Sequence, residues 1–297
     1  MAFITEQAGP ISRIAAPLLA RSLVLPMTVT RVPRTDFQGP SGATVNVRVP
    51  QPGAGEEQAA GGGNLTAEEI VEVSVAVEVK LQQFLANLDE YQLNLEIEDF
   101  ARQVTAIQVE AVARRCEAKV ATVLNDLAAD IMFAATATAA DTKATVLAAR
   151  EALSEADAPP GGRFLACSPS IVSRLLQVDE FVRADASGAT TALRQADVGS
   201  VYGLRVVESN SLDEDQAVAY HQSAFVFATF PPMNPAGATS SAVATHQGIA
   251  VRTLFQYNPV SATEQALVSA FAGAASVTDG PDNSTTPRFV KLGVDSS

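Results

Sequence analysis

Residue types that supply chemistry are scarce in this sequence. It has no tryptophan, and its two cysteines, Cys116 and Cys167, and its two histidines, His221 and His246, are isolated from one another. Without a Cys-x-x-Cys pair or a histidine cluster the chain lacks the ligand pattern of a transition metal, so we expect neither a metal site nor a cofactor. Both cysteines lie in apolar segments, which predicts buried free thiols in a reducing compartment.

Long apolar runs and positive charge are also lacking. No stretch approaches the about 20 apolar residues of a membrane span, and the N-terminus has no signal-peptide pattern, so we expect a soluble protein without a membrane partner. Lysine and arginine together number 20 against 33 acidic residues, a net charge of -13. Because nucleic acids and anionic membranes bind positive surfaces, this excess of acid argues against general binding to either.

The few basic residues are concentrated near the N-terminus. Residues 1–55 hold five arginines against two acids, whereas residues 56–100 hold eleven acids against Lys80. A basic segment beside an acidic one favours contacts between copies of the chain, although two solvated surfaces would have the same composition. The residues that we predict to take part in assembly are Arg13, Arg21, Arg31, Arg34, Glu56, Glu57, Gly61, Gly62, Gly63, Glu68 and Glu69.

The patterns of common active sites are missing as well. The glycine-rich stretch Gly53–Gly63 has no Gly-Lys-Ser/Thr and carries two glutamates, which would repel a phosphate. Cys167 with His221 or His246 is a conceivable nucleophile and base, but a buried structural cysteine explains its apolar strand better. We therefore expect no catalytic residues.

One long amphipathic helix is predicted from Leu95 to about Ala137, which at ~1.5 Å per residue would span roughly 60 Å. Apolar or small residues recur in it at steps of three and four, the signature of a helical face. The predicted buried rows are Ile97, Phe100, Val104, Ile107 and Ala111, and then Val112, Cys116, Val120, Val123, Leu127 and Ile131. The predicted exposed face carries Glu98, Arg102, Glu110, Arg114, Glu117 and Asp126.

The segments before this helix read as an arm and a hairpin. In residues 1–40 a proline recurs every seven to nine residues, which limits helix formation to a short piece over Ile11–Ser22, around Ile14, Leu18 and Leu19. Alternating valines predict strands over Ala43–Val49 and Ile70–Val79 that pair as a hairpin. Their connection, Pro50–Glu69, is far longer than an ordinary hairpin loop of about 2–5 residues.

Beyond the long helix the patterns indicate a mixed α/β region and then returning strands. With the hairpin and the long helix before them, the whole chain is predicted to be of the α+β class. Helices are predicted over Thr142–Ala156 and after Ser168-Pro169. Strands are predicted over Arg163–Cys167, Val201–Glu208 with a bend at Gly203, Ile249–Tyr257 and Glu264–Val277, with a last short apolar run at Phe289–Leu292. Ala217–Phe230 begins as a strand with helical character toward its end, and Pro231–Ala244 reads as a loop.

In this order of elements the chain resembles the major capsid (coat) proteins of tailed bacteriophages, which share the Hong Kong 97-type fold. The phrase Arg163–Ser170, followed by Gly199–Asn210 and Ala219–Ala224, is similar to a recurring pattern in the gene-five-like coat family. The resemblance implies an N-terminal arm (residues 1–40), an extended E-loop hairpin (41–82), a peripheral domain with a spine helix (83–140), a mixed α/β axial domain (141–245) and returning peripheral strands (246–297).

The resemblance also implies a structural role without enzymatic activity. It implies hexamers and pentamers that form an icosahedral virion capsid around phage double-stranded DNA, bound without specific contacts and assembled in the host bacterial cytoplasm. A scaffolding protein, a portal and a cement or decoration protein are the implied partners, and because the arm begins directly after Met1 we expect the scaffold to be a separate chain. Some members join subunits through lysine–asparagine bonds, but Pro50–Glu69 has no lysine and we expect no such cross-links.

Two alternatives stay open at this point. An encapsulin-like bacterial shell protein would have the same fold, and an acidic cytosolic enzyme would use Cys167.

Overall fold

The computed structural model describes residues 8–32, 44–50, 72–89, 104–134, 138–178, 199–237, 240–246, 249–279 and 286–294. The helices in these parts are α1 (Ala8–Ser22), α2 (Ala106–Asn125), α3 (Ala139–Glu155) and α4 (Pro169–Leu175). The first strands are β1 (Thr30–Val32), β2 (Thr44–Pro50), β3 (Glu72–Glu78), β4 (Lys80–Asp89), β5 (Ile131–Phe133), β6 (Arg163–Cys167), β7 (Ser200–Val201) and β8 (Leu204–Glu208). The later strands are β9 (Ala217–His221), β10 (Phe225–Phe230), β11 (Ser240–His246), β12 (Ile249–Asn258), β13 (Thr263–Ser276), β14 (Thr278–Asp279), β15 (Thr286–Pro287) and β16 (Phe289–Val294).

Two sheets, A and B, form the body of the described chain. Sheet A has the order β1-β10-β13-β12-β11, and β4 pairs with β13 as its sixth strand. Sheet B has the order β5-β16-β9-β6-β8-β7. Most neighbours are antiparallel, whereas β1–β10, β5–β16 and β6–β8 are parallel. Mixed sheets with helices packed on their faces confirm the predicted α+β class.

Helices α1 and α2 cover one face of sheet A. Val268 of β13 packs in the same buried cluster as Leu19 of α1 and Val112 of α2. Gln108, in the first turn of α2, donates from Nε2 to the carbonyl of Ala266 at 2.7 Å and so holds the helix on β13. The N-terminal arm thus contributes a helix to the core of its own chain.

The cluster under α2 continues into sheet B. Ala166 of β6 and Val218 and Tyr220 of β9 belong to it, so α2 packs between the two sheets. Tyr220 is fully buried, and its hydroxyl lies 2.5 Å from that of Thr28, which follows the short 3-10 turn Leu25–Met27. One core therefore joins both sheets, the arm and α2.

The other face of sheet B is covered by α3 and α4. Leu153 of α3 and Ile171 of α4 pack against Leu165 of β6 in a second buried cluster. α3 begins with a capping box, in which the Thr138 hydroxyl accepts from the Asp141 N–H and the Asp141 carboxylate accepts from the Thr138 N–H. The Asp141 carboxylate accepts from both the N–H and the hydroxyl of Thr138, and these two hydrogen bonds lower its pKa below the usual value.

The predicted hairpin is confirmed within the described residues, since β2 and β3 pair antiparallel from Thr44↔Glu78 to Pro50↔Glu72. Its buried valines, including Val47 and Val77, pack on Val226 of β10. The end of β3 crosses β13 so closely that a Cβ on Gly273 would lie 2.3 Å from the carbonyl oxygen of Glu78. Only glycine leaves room for this crossing.

The long helix is shorter than predicted. α2 spans 20 residues, about 30 Å, and its C-terminal end lies well before Ala137. Lys291 donates from Nζ to the carbonyls of Asn125 at 2.7 Å and Leu127 at 2.9 Å, which satisfies the end of the helix. Ile131 then belongs to β5, which pairs with β16. The prediction was wrong here because partners on a distant strand outweigh local periodicity; residues 95–103 lie outside the described parts.

The predicted helix faces also need correction. Ile107 is 59% exposed and Ile14 of α1 is 45% exposed, although both were assigned to apolar faces. Glu117 was assigned to the exposed face and is buried. By contrast, the exposed ion pair Glu110–Arg114 is present as predicted, and Cys116 and Val120 are buried as predicted.

Several strands differ from their predictions. β4 and β11 were not recognised, and both gain their backbone partners only through pairing with β13 and β12. Ala217–Phe230 forms two strands, β9 and β10, in different sheets, separated by the 3-10 turn Gln222–Ala224, and it has no α-helix. The bend at Gly203 is a turn between the antiparallel strands β7 and β8, with positive φ at Tyr202 and Gly203. The other predicted strands and helices after residue 141 are confirmed to within a few residues.

Buried Glu117 joins three parts of the fold. Its Oε1 accepts from the Ser209 hydroxyl at 2.6 Å, at the end of β8 in sheet B. Its Oε2 accepts from the Val24 N–H at 3.2 Å, just beyond α1. A buried carboxylate is tolerated when its oxygens are hydrogen-bonded, so Glu117 holds the arm and sheet B to α2.

Replacement of Gly273 by alanine tests the close crossing of β3 over β13. We expect Gly273→Ala to lower the free energy of unfolding by about 1–3 kcal/mol, because the added methyl displaces backbone rather than a mobile side chain. Urea unfolding of the unassembled chain measures the change. Gly237→Ala is the matched control, since a Cβ there meets nothing within 4 Å; equal midpoints for the two variants would contradict the account.

Removal of the Glu117 carboxylate tests its role between the arm, α2 and sheet B. Glu117→Ala should cost about 1–3 kcal/mol of unfolding free energy, because it leaves the buried Ser209 hydroxyl and the partly buried Val24 N–H without their acceptor. Glu110→Ala, which removes an exposed carboxylate from the same helix, should cost at most about 0.5 kcal/mol. Amide hydrogen exchange at Val24 should accelerate only in the first variant, and unchanged exchange there would show that Glu117 does not hold the arm.

Candidate assembly surface

Most of the predicted assembly residues lie outside the described parts. Arg13 is exposed on α1, and Arg31 is exposed on β1 with its Nη1 3.2 Å from the sulfur of Met27. Arg21 also belongs to α1. The residues outside the described parts are Arg34, Glu56, Glu57, Gly61, Gly62, Gly63, Glu68 and Glu69. Their part in assembly, like that of the three described arginines, stays a prediction.

Cys167 does not have the surroundings of a nucleophile. Its side chain is fully buried in sheet B, and burial raises the pKa of its thiol far above the usual value. In the β6–β9 register His221 pairs with Arg163, whereas Cys167 pairs with Ala217. Four residues of strand, about 13 Å, therefore separate the thiol from that histidine. His246 lies on β11 in the other sheet, so the structure contradicts an active site built on Cys167.

Cys116 is also a buried core residue, and burial raises the pKa of its thiol to about 12. Both cysteines are free thiols, as the sequence predicts. Among the residues that the structure describes, no group of three or more His, Cys, Asp and Glu side chains is arranged to hold a metal ion. No helix in the same residues has the length and apolar character needed to cross a membrane.

The turn between β12 and β13 presents an ordered apolar tip, residues 257–263. Val260 is 96% exposed there, and Tyr257 is 47% exposed. The turn is held by its own polar groups: the Asn258 side-chain oxygen accepts from the Val260 N–H at 3.0 Å, and the hydroxyls of Ser261 and Thr263 lie 2.7 Å apart. An exposed side chain on such a turn is already in position for a contact, which reduces the entropy lost on binding.

The β12–β13 tip is also uncharged. Residues 257–263 contain no charged side chain. The next acid, Glu264, pairs with Tyr257 across the two strands, and its partial burial raises the pKa of its carboxyl. The tip therefore carries no charge on a chain whose net charge is -13.

A second exposed apolar area lies on sheet A. Leu85 is 50% exposed and Leu81 is 39% exposed, and both belong to β4. Leu85 pairs with Leu267 of β13, the neighbour of buried Val268. Because successive side chains of a strand point to opposite faces, Leu81, Leu85 and Leu267 lie on the face of sheet A away from α1 and α2.

Solved structures with the same fold come from several sources. The structure from Mycobacterium phage Che8 aligns with a TM-score of 0.61 and 19% identity, covering 91% of this chain and 90% of that chain. The capsid structure of cyanophage P-SCSP1u aligns at 0.61 and 14% identity, over 91% and 87% of the two chains. The crystal structure of a virus-like particle from Pyrococcus furiosus aligns at 0.55 and 13% identity, over 95% and 97%. These likenesses confirm the predicted Hong Kong 97-type fold.

The sequence itself identifies the family. No curated protein matches the chain. Residues 99–279, more than half of the chain, match the family of phage capsid proteins. This match favours the phage capsid over the encapsulin-like alternative, which the fold alone leaves open. The chain belongs to the phage capsid protein family, and it is a structural protein of the virion shell.

Proposed function

We propose that copies of this chain form hexamers and pentamers, which close an icosahedral shell around the double-stranded DNA of a tailed phage in the cytoplasm of its bacterial host. The family match over residues 99–279 carries this proposal. The described surfaces support it, because they offer contacts suited to identical neighbours.

The β12–β13 tip is the described surface best suited to such a contact. Val260 projects fully from a turn that is ordered by its own hydrogen bonds, and no charge lies within the tip. Rings such as hexamers and pentamers join two different patches of neighbouring copies. An uncharged apolar tip avoids repulsion by the neighbouring copy of this acidic chain.

The β2–β3 hairpin supplies a second contact. Its inner face is buried on sheet A, whereas Asn46, Arg48, Ser74 and Glu78 are exposed on its outer face. Arg48 pairs with Glu72 at 3.6 Å across the strands. In the sequence the two strands are joined by the connection Pro50–Glu69 of the predicted E-loop. In the proposal this connection reaches a neighbouring copy, where its acids would meet exposed arginines such as Arg13.

Other partners complete the proposed assembly. In the proposal these are a scaffolding protein, a portal at one vertex and a cement or decoration protein, as in the tailed-phage capsid proteins that the chain resembles. Packaged DNA needs no specific site on the chain. A net charge of -13 is consistent with a wall that encloses DNA without adhering to it.

Assembly of the expressed full chain tests the proposal, by sedimentation and negative-stain electron microscopy. The wild-type chain should form shells or capsomers. Val260→Glu places a negative charge on each tip, and like charges brought together at a contact cost several kcal/mol. We expect the assembled fraction to fall at least about tenfold. Val260→Thr is the matched control, since it keeps the size of the side chain without a charge, and it should assemble as the wild type does.

Both Val260 variants should remain folded, because substitution of a fully exposed side chain changes stability by only about 0.5 kcal/mol. Circular dichroism and thermal unfolding check this. A Val260→Glu chain that assembles as well as the wild type would contradict the role of the tip alone. A wild-type chain that forms neither shells nor capsomers would contradict the proposed function.

A further inference from the structure

The chain passes from sheet B to sheet A through the 3-10 turn Gln222–Ala224. β9 ends at His221 in sheet B, and β10 begins at Phe225 in sheet A. The turn is held from both sides, since the Gln222 N–H donates to the carbonyl of Gly162 at 3.0 Å and the Thr30 hydroxyl donates to the carbonyl of Gln222 at 3.0 Å. The conformation of this turn therefore helps to set how the two sheets meet.

The ring of His221 caps the turn. Its Nδ1 accepts from the Ser223 N–H at 3.3 Å and lies 2.8 Å from the Ser223 hydroxyl oxygen. That oxygen accepts from Arg288 Nη1 at 2.7 Å, which directs the Ser223 hydroxyl hydrogen toward Nδ1. The ring also hydrogen-bonds to the backbone of Gly161. This arrangement requires a neutral imidazole with its proton on Nε2, because Nδ1 acts as an acceptor.

Within the described parts of the chain, the charged groups that act on His221 are two arginines. Arg163 is its pairing partner in β6, and Arg288 precedes β16. The guanidinium of Arg163 is fixed by the carbonyls of Ala158 at 2.5 Å and Pro159 at 2.9 Å, so it does not move aside. Burial first, and then Arg288 and Arg163, lower the pKa of His221, against the hydrogen bond to Gly161 that raises it. A positive charge on His221 is therefore disfavoured beside Arg163 and Arg288.

We infer that His221 makes the connection between the two sheets acid-sensitive. Protonation of Nδ1 removes the acceptor for the Ser223 N–H and adds a positive charge beside Arg163 and Arg288. The turn then opens, and the two sheets gain freedom to change their relative orientation. At neutral pH the same groups hold the turn closed.

The pH window follows from the direction of the pKa shift. The open turn binds a proton at the ordinary histidine pKa of about 6.5, whereas the closed turn binds it only at lower pH. The closed turn is therefore fully favoured above about pH 6.5 and loses stability as the pH falls below that value. Within this window its opening equilibrium rises by up to about tenfold for each pH unit.

Hydrogen exchange read by mass spectrometry on the full chain tests this inference between pH 7.5 and 5.5. After correction for the intrinsic pH dependence of exchange, the peptide that covers residues 222–226 should lose protection by about fivefold to tenfold, while peptides from α3 should not. His221→Asn offers an acceptor for the Ser223 N–H that does not titrate, so the same peptide should show no pH response. His246→Asn is the matched control at the other histidine, which is exposed on β11, and it should respond like the wild type.

Two results would overturn the inference. One is a wild-type peptide 222–226 whose protection does not change with pH, a measurement that needs no variant. The other is a folded His221→Asn chain that responds to pH as the wild type does, which would assign the effect to a different group.

Discussion

The packing of α2 between sheets A and B is the interaction on which the rest of the structure depends. Each sheet has one face that would be exposed without it, and the buried cluster around α2 includes Val112, Val218 and Val268 from the helix and both sheets. Few aromatic side chains are available, and the described residues divide into four apolar clusters rather than one large core. By packing one helix against two sheets, a chain rich in small apolar residues buries enough apolar surface.

Long charged side chains define the borders of this core. Lys291 satisfies the last carbonyls of α2, Arg163 satisfies those that follow α3, and Glu117 accepts from a backbone N–H of the arm. Each of these charged groups lies near the end of a helix or strand, where backbone groups lack their regular hydrogen-bond partners. Buried charges of this kind are stable because their hydrogen bonds replace those to water. They also connect elements that are far apart in the sequence, so they tie the arm, the helices and both sheets together.

The surface of a shell protein has to contain both regions that repel other molecules and regions that contact neighbouring copies. The chain is strongly acidic, and among its described exposed apolar side chains Val260 of the β12–β13 tip is the most exposed, at 96%. The inside has a comparable division. Most polar groups in the core are fully paired, whereas the connection between the sheets depends on His221, whose pKa is lowered by burial and by two neighbouring arginines. The rigid cores and the titratable connection at His221 can occur in one molecule because different residues form them.

Local patterns by themselves determined the alternating valines of β2 and β3, the Ser168-Pro169 start of α4 and the exposed pair Glu110–Arg114, since each depends on neighbours within a few residues. They also carried the resemblance to capsid proteins and hence the fold class. Only the tertiary structure decided where α2 ends, because that end depends on Lys291, 166 residues away from Asn125. The same holds for strand β4 and for the burial of Glu117, whose partners are distant in the sequence. The need for glycine at position 273, a close backbone crossing, exists only once the chain has folded.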